Sequence, residues 1–197
     1  MKRLVDIVLS LMGLLILSPV FAVAAVMIKN DSKGPVFFRQ ERIGRNFKPF
    51  IIYKFRTMTE GAEKEGALIT VGGDARITRI GRTLRRCKID ELPQLLNVLK
   101  GDMSLVGPRP EVREYVELFR PEYAKLLKVR PGITDPASLR YSEEECFLAS
   151  AADWREHYTG RILPEKINLS MRYVEHHGLL TDFRLIWQTI FKIVATG

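Results

Sequence analysis

Two adjacent carboxylates, Asp90 and Glu91, directly follow an arginine-rich stretch of the sequence. Guanidinium groups match phosphate oxygens in geometry and charge. A carboxylate pair beside bound phosphate suits Mg²⁺, a hard cation that prefers oxygen ligands, and a carboxylate can also attack phosphorus to form an acyl phosphate. The pair therefore indicates phosphoryl chemistry, while an Asp-Glu dipeptide that only charges a turn before Pro93 is the plain alternative.

The preceding arginines recur at spacings of three and four residues, which places much of the set along one helix surface. Like charges at these spacings repel, so we expect an anionic partner to offset the cost. Phosphate fits this role, and a solvated basic face or a contact with anionic lipid headgroups is the other interpretation. The residues are Arg76, Arg79, Arg82, Arg85 and Arg86.

A further arginine, Arg109, lies between Pro108 and Pro110. Two prolines restrict the backbone on both sides of it. The loop therefore holds an arginine at low entropic cost, as a phosphate clamp requires. A rigid turn that carries a surface arginine would have the same sequence.

The elements that must position these residues are mostly helical. The pattern predicts an α+β fold, mostly helical with a few short strands, in which a turn joins the two strands. A second long helical stretch contains a proline break, and a turn follows it. The predicted strands are residues 36–38 and 50–55, the helical stretches are 76–100 and 111–129, and the turns are 45–49 and 130–132.

The N-terminal residues 4–28 are apolar, with Asp6 as the only charge, and their length is roughly that of a bilayer core. Ser18-Pro19 lies near the middle, where proline kinks a helix and a serine hydroxyl can satisfy a freed carbonyl. Basic residues flank both ends, which favours a re-entrant hairpin over a kinked spanning helix. A cleaved signal peptide, with residues 22–24 as the cleavage site, is the third interpretation.

A C-terminal stretch, residues 182–194, is amphipathic in part, and Asp182 is placed to cap the start of a helix there. A helix that packs on the core and an interfacial helix with Trp187 at headgroup level fit this pattern equally well.

The chain has 197 residues, which is enough for one domain with a core. Its formal net charge of +8 suits an anionic partner. Nucleic acid is not the predicted partner, because zinc-finger spacing, ribonucleoprotein aromatics and a helix-turn-helix pattern are missing. The sequence also lacks a glycine-rich phosphate loop. Whether the chain forms a homo-oligomer stays open.

Several motifs together resemble the signature of the monotopic phosphoglycosyl transferases, also called the bacterial sugar transferase family. The resemblance extends from the N-terminus to about residue 135 and is looser beyond. Its motifs are Ser18-Pro19, residues 53–58, 89–95, 97–104, 106–110 and 130–134.

The resemblance implies a re-entrant membrane anchor over residues 1–33 and a catalytic domain over 34–197 on the cytoplasmic face of the bacterial inner membrane. It implies that Asp90 attacks the β-phosphorus of a nucleoside diphosphate sugar, usually a UDP-sugar, and expels the nucleoside monophosphate. A polyprenol phosphate, usually undecaprenyl phosphate, then accepts the phosphosugar. Glu91 helps to hold Mg²⁺ beside Asp90.

The same resemblance assigns substrate binding to a set of basic and proline residues. They are Lys54, Arg56, Arg85, Pro108, Arg109 and Pro110. The chain departs from the commoner family pattern at Asp135-Pro136, which leaves sugar and nucleobase contacts in that region open. A non-catalytic scaffold on anionic lipid and a single-step transferase are the rival functions.

Overall fold

The computed structural model describes residues 1–62, 74–142, 144, 148 and 153–196. These residues form a mostly helical fold with two small sheets, as the sequence predicts. In chain order the elements are α1 Lys2–Ile16, α2 Ser18–Asp31, β1 Phe37–Ile43, β2 Pro49–Phe55, α3 Arg79–Arg86, a 3-10 turn Ile89–Glu91, α4 Gln94–Lys100, β3 Ser104–Val106, α5 Arg113–Leu118, α6 Arg120–Leu126, β4 Gly132–Thr134, α7 Pro136–Arg140, a short helix Trp154–His157, a π-helical turn Tyr158–Ile162, a helix Leu163–His176 and a last helix Leu179–Thr196.

Both predicted strands are present, and they pair as an antiparallel hairpin in which Phe37 faces Phe55 and Ile43 faces Pro49. The first strand is longer than the predicted residues 36–38, and a 3-10 helix, Arg45–Phe47, lies within the predicted turn. Asn97 of α4 is fully buried and binds the backbone of β2. Its amide donates to the carbonyl oxygen of Ile51 at 2.7 Å and accepts from the amide of Tyr53 at 3.0 Å. This side chain makes the hydrogen bonds that a neighbouring strand would otherwise make with β2, and it fixes α4 against the hairpin.

The stretch 76–100 is mainly helical, but it is three short pieces rather than one helix. The Thr78 hydroxyl caps α3 by accepting from the Gly81 amide at 3.0 Å. Lys88 then adopts a left-handed conformation with φ of 54°, which breaks the helix before Asp90. The break places the two candidate catalytic carboxylates on a separate turn between α3 and α4.

The second predicted helical stretch is also divided, into α5 and α6, with Phe119 between them and Pro121 in the first turn of α6. The turn predicted at 130–132 lies slightly earlier, at residues 127–129. Gly132 instead begins β4, which pairs in parallel with β3. The prediction placed this residue wrongly because its pairing partner is more than twenty residues away.

Gly132 and Gly107 lie in direct backbone contact at the end of this strand pair. A Cβ atom on Gly132 would come within 2.0 Å of the Gly107 nitrogen, a separation that side chains do not adopt. The Gly132 amide donates to the Pro108 carbonyl at 2.9 Å, and the Gly107 amide donates to the Thr134 carbonyl at 3.0 Å. Strand β4 therefore supports the loop that carries Arg109.

The N-terminal helices α1 and α2 meet at Leu17 with a bend of 60°. The Ser18 hydroxyl donates to the Leu15 carbonyl at 2.8 Å, which satisfies a carbonyl freed by Pro19, as expected. In the part of the chain that the structure describes, neither helix alone has the length and apolar character to cross a bilayer, whereas the bent pair has both together. Its exposed apolar residues include Leu4, Val8, Leu11, Leu15, Ile16, Val23 and Val26.

The first turns of α1 are bonded to the rest of the fold. Arg3 donates to the carbonyls of Val98 and Leu99 at 2.6 and 3.1 Å, which satisfies the C-terminal end of α4. Asp6, only 4% exposed, accepts from the Ser104 hydroxyl at 2.8 Å and from the Leu105 amide at 3.2 Å. The single charge of the apolar segment thus binds strand β3.

Lys2 connects α1 to the last helix. It donates to the Val106 carbonyl at 3.1 Å and forms an ion pair with Asp182. Asp182 is buried and also accepts from the Tyr173 hydroxyl at 2.6 Å. The prediction that Asp182 caps the last helix is therefore wrong, because this helix begins earlier, at Leu179, and the carboxylate is used in a tertiary ion pair.

Gly132→Ala should lower the thermal stability of the protein, because the added methyl group overlaps the backbone at Gly107. We expect a loss of about 1–3 kcal/mol in the free energy of unfolding, the usual cost of overpacking. Gly178→Ala is the matched control, since no atom lies within 4 Å of its added methyl group. Equal melting temperatures for the two variants would contradict this packing.

Candidate active site

Glu91 is the centre of a partly buried ion-pair group formed by three separate parts of the chain. Both terminal nitrogens of Arg109 donate to its carboxylate, one to each oxygen. Lys54 of β2 donates to the same carboxylate at 3.0 Å. The structure therefore brings together three of the residues predicted for the site, and it gives Glu91 two cationic partners.

The cations hold Glu91 in its charged form. Burial opposes ionisation of this carboxyl group, but the nearby charges of Arg109 and Lys54 outweigh burial and keep its pKa well below the usual range. The charge of Glu91 in turn raises the pKa of Arg109. Burial lowers the pKa of the Lys54 ammonium, and the charge of Glu91 opposes that shift.

Asp90 has a different environment, although it is the adjacent residue. Its carboxyl group is 7% exposed, and within the described part of the chain its Oδ1 atom has no hydrogen-bond partner. Burial first, and the charge of Glu91 second, raise the pKa of Asp90 to about 6. At neutral pH the group is therefore mainly an ionised carboxylate with an unsatisfied oxygen.

Arg85 and Arg56, the remaining arginines predicted to bind substrate, line the same cavity as the carboxylates. Arg85, in the last turn of α3, donates from Nε to the Thr57 hydroxyl at 2.8 Å. Arg56 is buried, and its terminal nitrogens donate to the carbonyl oxygens of Ser32 and Lys33 at the end of α2. Arg56 thus joins the hairpin to the N-terminal helix pair.

Pro108 and Pro110 are buried and support the loop through their carbonyl groups. The Pro108 carbonyl accepts from the Gly132 amide, and the Pro110 carbonyl accepts from Arg42 at 3.3 Å. Backbone hydrogen bonds thus hold the loop on both sides of Arg109.

The cavity has a volume of about 1440 Å³ and extends from the charged residues to the last helix. Asp90, Glu91 and Arg109 line one part, and Ile186 and Ile190 of the last helix line another. This helix also presents apolar side chains outward, with Trp187 71% exposed. The cavity can therefore hold a polar ligand at one end while its other end is lined by apolar residues.

Asp90 and Glu91 are the residues that could hold a metal ion. Over the described ranges no cluster of three or more His, Cys, Asp or Glu side chains is arranged to bind a metal. Mg²⁺ usually binds through one or two carboxylates and completes its shell with substrate phosphates and water. The unsatisfied Oδ1 of Asp90 fits that type of site.

A second set of charged residues lines the same cavity and was not predicted from the sequence. It surrounds Glu111, which directly follows the Pro108–Pro110 loop, and that position is the only signal the sequence offers. The others come from distant elements and carry no motif. The set is Arg42, Glu111, Glu144, Tyr158 and Lys166.

The fold and this site define a class of protein. The family model described as bacterial sugar transferase matches residues 1–196, and the chain belongs to that family.

Named relatives include a UDP-N-acetylgalactosamine-undecaprenyl-phosphate N-acetylgalactosaminephosphotransferase of Aeromonas hydrophila, 40% identical over 199 residues, which are 100% of this chain and 44% of the relative. The UDP-glucose:undecaprenyl-phosphate glucose-1-phosphate transferase of Klebsiella pneumoniae is 37% identical over 97% of this chain and 39% of the relative. A putative undecaprenyl-phosphate N-acetylgalactosaminyl 1-phosphate transferase of Bacillus subtilis is 50% identical over 148 residues, 73% of this chain and 79% of the relative. The chain thus spans less than half the length of the first two.

Asp90→Asn should change how stability depends on pH. The pKa of Asp90, about 6 in the folded chain, exceeds its usual value of 3.8, so the folded state binds more protons between these values. The stability that the protonated group contributes is complete below pH 3.8 and is lost as pH rises through 6. In metal-free buffer, the variant should therefore gain stability relative to the unaltered protein between pH 4 and pH 7, by about 3 kcal/mol at most. Denaturant unfolding of both proteins at pH 4 and at pH 7 measures this difference in the free energy of unfolding. The same dependence on pH in both proteins would contradict the raised pKa of Asp90.

Proposed function

We propose that this chain transfers a sugar 1-phosphate from a UDP-sugar to undecaprenyl phosphate and so begins the assembly of a lipid-linked glycan. The names of its relatives support the donor and acceptor classes. Two of these names specify N-acetylgalactosamine and one specifies glucose, so the sugar used by this chain is left open.

The observation that carries the proposal is the difference between the two adjacent carboxylates. Both oxygens of Glu91 are engaged by Arg109, and Lys54 binds one of them as well. Asp90 keeps a buried oxygen without a partner. A carboxylate acts as a nucleophile through a free lone pair, and desolvation makes that lone pair more reactive. Asp90 is therefore the residue suited to attack phosphorus.

The proposed reaction has two steps. A carboxylate oxygen of Asp90 bonds to the β-phosphorus of the UDP-sugar, the bond between this phosphorus and the bridging oxygen breaks, and UMP leaves with that oxygen. An oxygen of undecaprenyl phosphate then bonds to the same phosphorus and releases the Asp90 carboxylate. The product is undecaprenyl diphosphosugar. Direct transfer in one step is the alternative that the trapping experiment below distinguishes.

The basic residues neutralise the charge that moves between phosphate oxygens during transfer, since phosphoryl transfer depends mainly on positioning and charge stabilisation. Arg109 and Lys54, which lie beside Glu91, supply this neutralising charge, and Arg85 and Arg56 line the same cavity. A phosphate at Arg109 competes with Glu91 for the guanidinium group. Substrate binding therefore exchanges one anionic partner of Arg109 for another.

Mg²⁺ is the cofactor that we assign to this site, with Asp90 and Glu91 as its protein ligands. When bound with substrate it supplies charge neutralisation at the diphosphate. The donor set supports this assignment, because carboxylate oxygens are preferred ligands, and a phosphate that replaces Glu91 at Arg109 would free a Glu91 oxygen for the metal.

We further propose that α1 and α2 enter and leave the inner membrane from the cytoplasmic face. The 60° bend, the exposed apolar side chains of both helices and the inward use of Lys2, Arg3 and Asp6 support a broken, re-entrant anchor. The outward apolar surface of the last helix, with Phe183 and Trp187, suits the interface. In this arrangement the soluble donor and the lipid acceptor meet at the cytoplasmic surface of the membrane.

A phosphosugar should be trapped covalently on Asp90 when the purified protein is given a UDP-sugar and Mg²⁺ without lipid acceptor. Intact-protein mass spectrometry should show an adduct equal to one sugar phosphate, with release of an equal amount of UMP. UDP-glucose and UDP-N-acetylgalactosamine are the first donors to test. Undecaprenyl phosphate added afterwards should remove the adduct.

Three controls accompany this experiment. Asp90→Asn should give neither adduct nor UMP, and excess chelator should suppress both in the unaltered protein. Glu41→Gln alters a surface carboxylate and should leave the adduct unchanged. UMP release by Asp90→Asn at the normal rate would show that Asp90 is not the nucleophile. Lipid-dependent UMP release without any adduct would favour single-step transfer.

Both ends of the anchor should be accessible from the same side of the membrane. Single cysteines placed near Met1 and at Lys33, in a chain whose native cysteines are replaced, should react with an impermeant maleimide only after the cytoplasmic side is exposed. Inverted vesicles expose the cytoplasmic side to the maleimide, and intact spheroplasts expose the periplasmic side. Labelling near Met1 from the periplasmic side would establish a spanning helix instead.

A further inference from the structure

A second charge cluster, centred on Glu111, lines the same cavity as the Glu91–Arg109 ion pair. This carboxyl group is 7% exposed. One oxygen accepts from Arg42 at 3.3 Å and the other accepts from the Tyr158 hydroxyl at 3.0 Å. Lys166 lies 3.8 Å from the second oxygen and donates to Glu144 at 2.7 Å. Arg42, Glu111, Glu144, Tyr158 and Lys166 are called the Glu111 cluster below.

The Glu111 cluster joins three elements to the loop that carries Arg109. Arg42 belongs to β1, Tyr158 to the π-helical turn and Lys166 to the helix Leu163–His176. Arg42 also donates to the Pro110 carbonyl, and the Ile43 amide donates to the Glu111 carbonyl at 3.0 Å. The residue immediately after the loop is thus held by both its side chain and its backbone.

The position of Tyr158 adds an independent indication. It begins a π-helical turn, an arrangement that is rare and occurs frequently at functional sites. Its ring is fully buried and packs edge-on against Tyr115 with 5.0 Å between ring centroids. The wider turn and this packing direct the hydroxyl group of Tyr158 to Glu111.

Charge balance explains why the cluster stays intact. Burial opposes ionisation of Glu111, but the Lys166 and Arg42 charges outweigh burial and lower the pKa of this carboxyl group. A buried charge that loses its partner is strongly unfavourable, so the members fix one another in place. The carboxylates of Glu111 and Glu144 also favour the charged form of Arg109.

We propose that Glu111 is a positioning residue that holds Arg109 in its phosphate-binding geometry through the Glu111 cluster. The inference rests on the proposed phosphate role of Arg109. Glu111 acts through the backbone at Pro110 and through the surrounding charges, and does not itself contact the reacting atoms. Misplacement of a binding group by about 1 Å costs on the order of 100-fold in rate, which sets the expected scale.

The test is Glu111→Gln, which preserves shape and removes the charge. In the full-length protein, kcat/KM for UMP release should fall about 10-fold to 100-fold. The affinity for inorganic pyrophosphate with Mg²⁺, measured by calorimetry, should fall about tenfold, and this measurement needs neither sugar nor lipid. Glu41→Gln, the surface carboxylate paired with Arg113, should leave both quantities unchanged.

A double-mutant cycle with Arg109→Lys separates positioning from general structural damage. Lysine keeps the charge but lacks the planar fork whose orientation Glu111 maintains. In the Arg109→Lys background, Glu111→Gln should therefore reduce kcat/KM by about twofold or less. An equal reduction in both backgrounds would overturn the proposal, as would unchanged activity in the single variant.

Thermal unfolding of each variant shows whether it is folded. If Glu111→Gln does not fold, Arg42→Lys supplies the second test, because it keeps a cation beside Glu111 while losing the geometry of the contact to Pro110. It should give the same loss of kcat/KM and the same coupling to Arg109→Lys, and additive losses would overturn the proposal. Failure of the unaltered protein to bind pyrophosphate would instead contradict the phosphate role of Arg109 and, with it, the proposed function.

Discussion

The partly buried carboxylate of Glu91 imposes the constraint on which the rest of the structure depends. Lys54 and Arg109, which neutralise it, lie 37 and 18 residues away in the sequence. An ion pair that is largely shielded from water depends on both partners, because removal of one leaves the other charge poorly solvated. The hairpin, the break between α3 and α4 and the loop after β3 must therefore form together, because each contributes one member.

This arrangement also distinguishes two carboxylates that the residues alone do not distinguish. Asp90 and Glu91 are adjacent and chemically alike, and their side chains differ only in direction, by about 100° around the turn. From the residues alone, either could be the nucleophile or the metal ligand. In the folded chain the Glu91 side chain meets two cations, whereas Asp90, which lines the cavity, keeps a buried oxygen without a partner. The difference arises from tertiary neighbours, which no local pattern encodes.

Features that depend on near neighbours were predicted well. The hairpin follows from two β-rich segments with a turn between them, and the Ser18 hydrogen bond follows from a proline in a helix. The division of residues 76–100 was missed because it depends on the left-handed Lys88, a conformation that only tertiary packing favours in a lysine. The role of Asp182 was wrong for a related reason, since its partner Lys2 is 180 residues away. Likewise, the Glu111 cluster combines residues that share no motif.

The contacts of α1 have a consequence for the order in which the protein can be completed. Asp6 and Lys2 are synthesised before their partners Ser104 and Asp182, which lie 98 and 180 residues later in the sequence. Until those partners exist, the apolar helix carries charged groups that cannot be buried without large cost. The attachment of α1 to the rest of the fold is therefore finished only after Asp182 has left the ribosome.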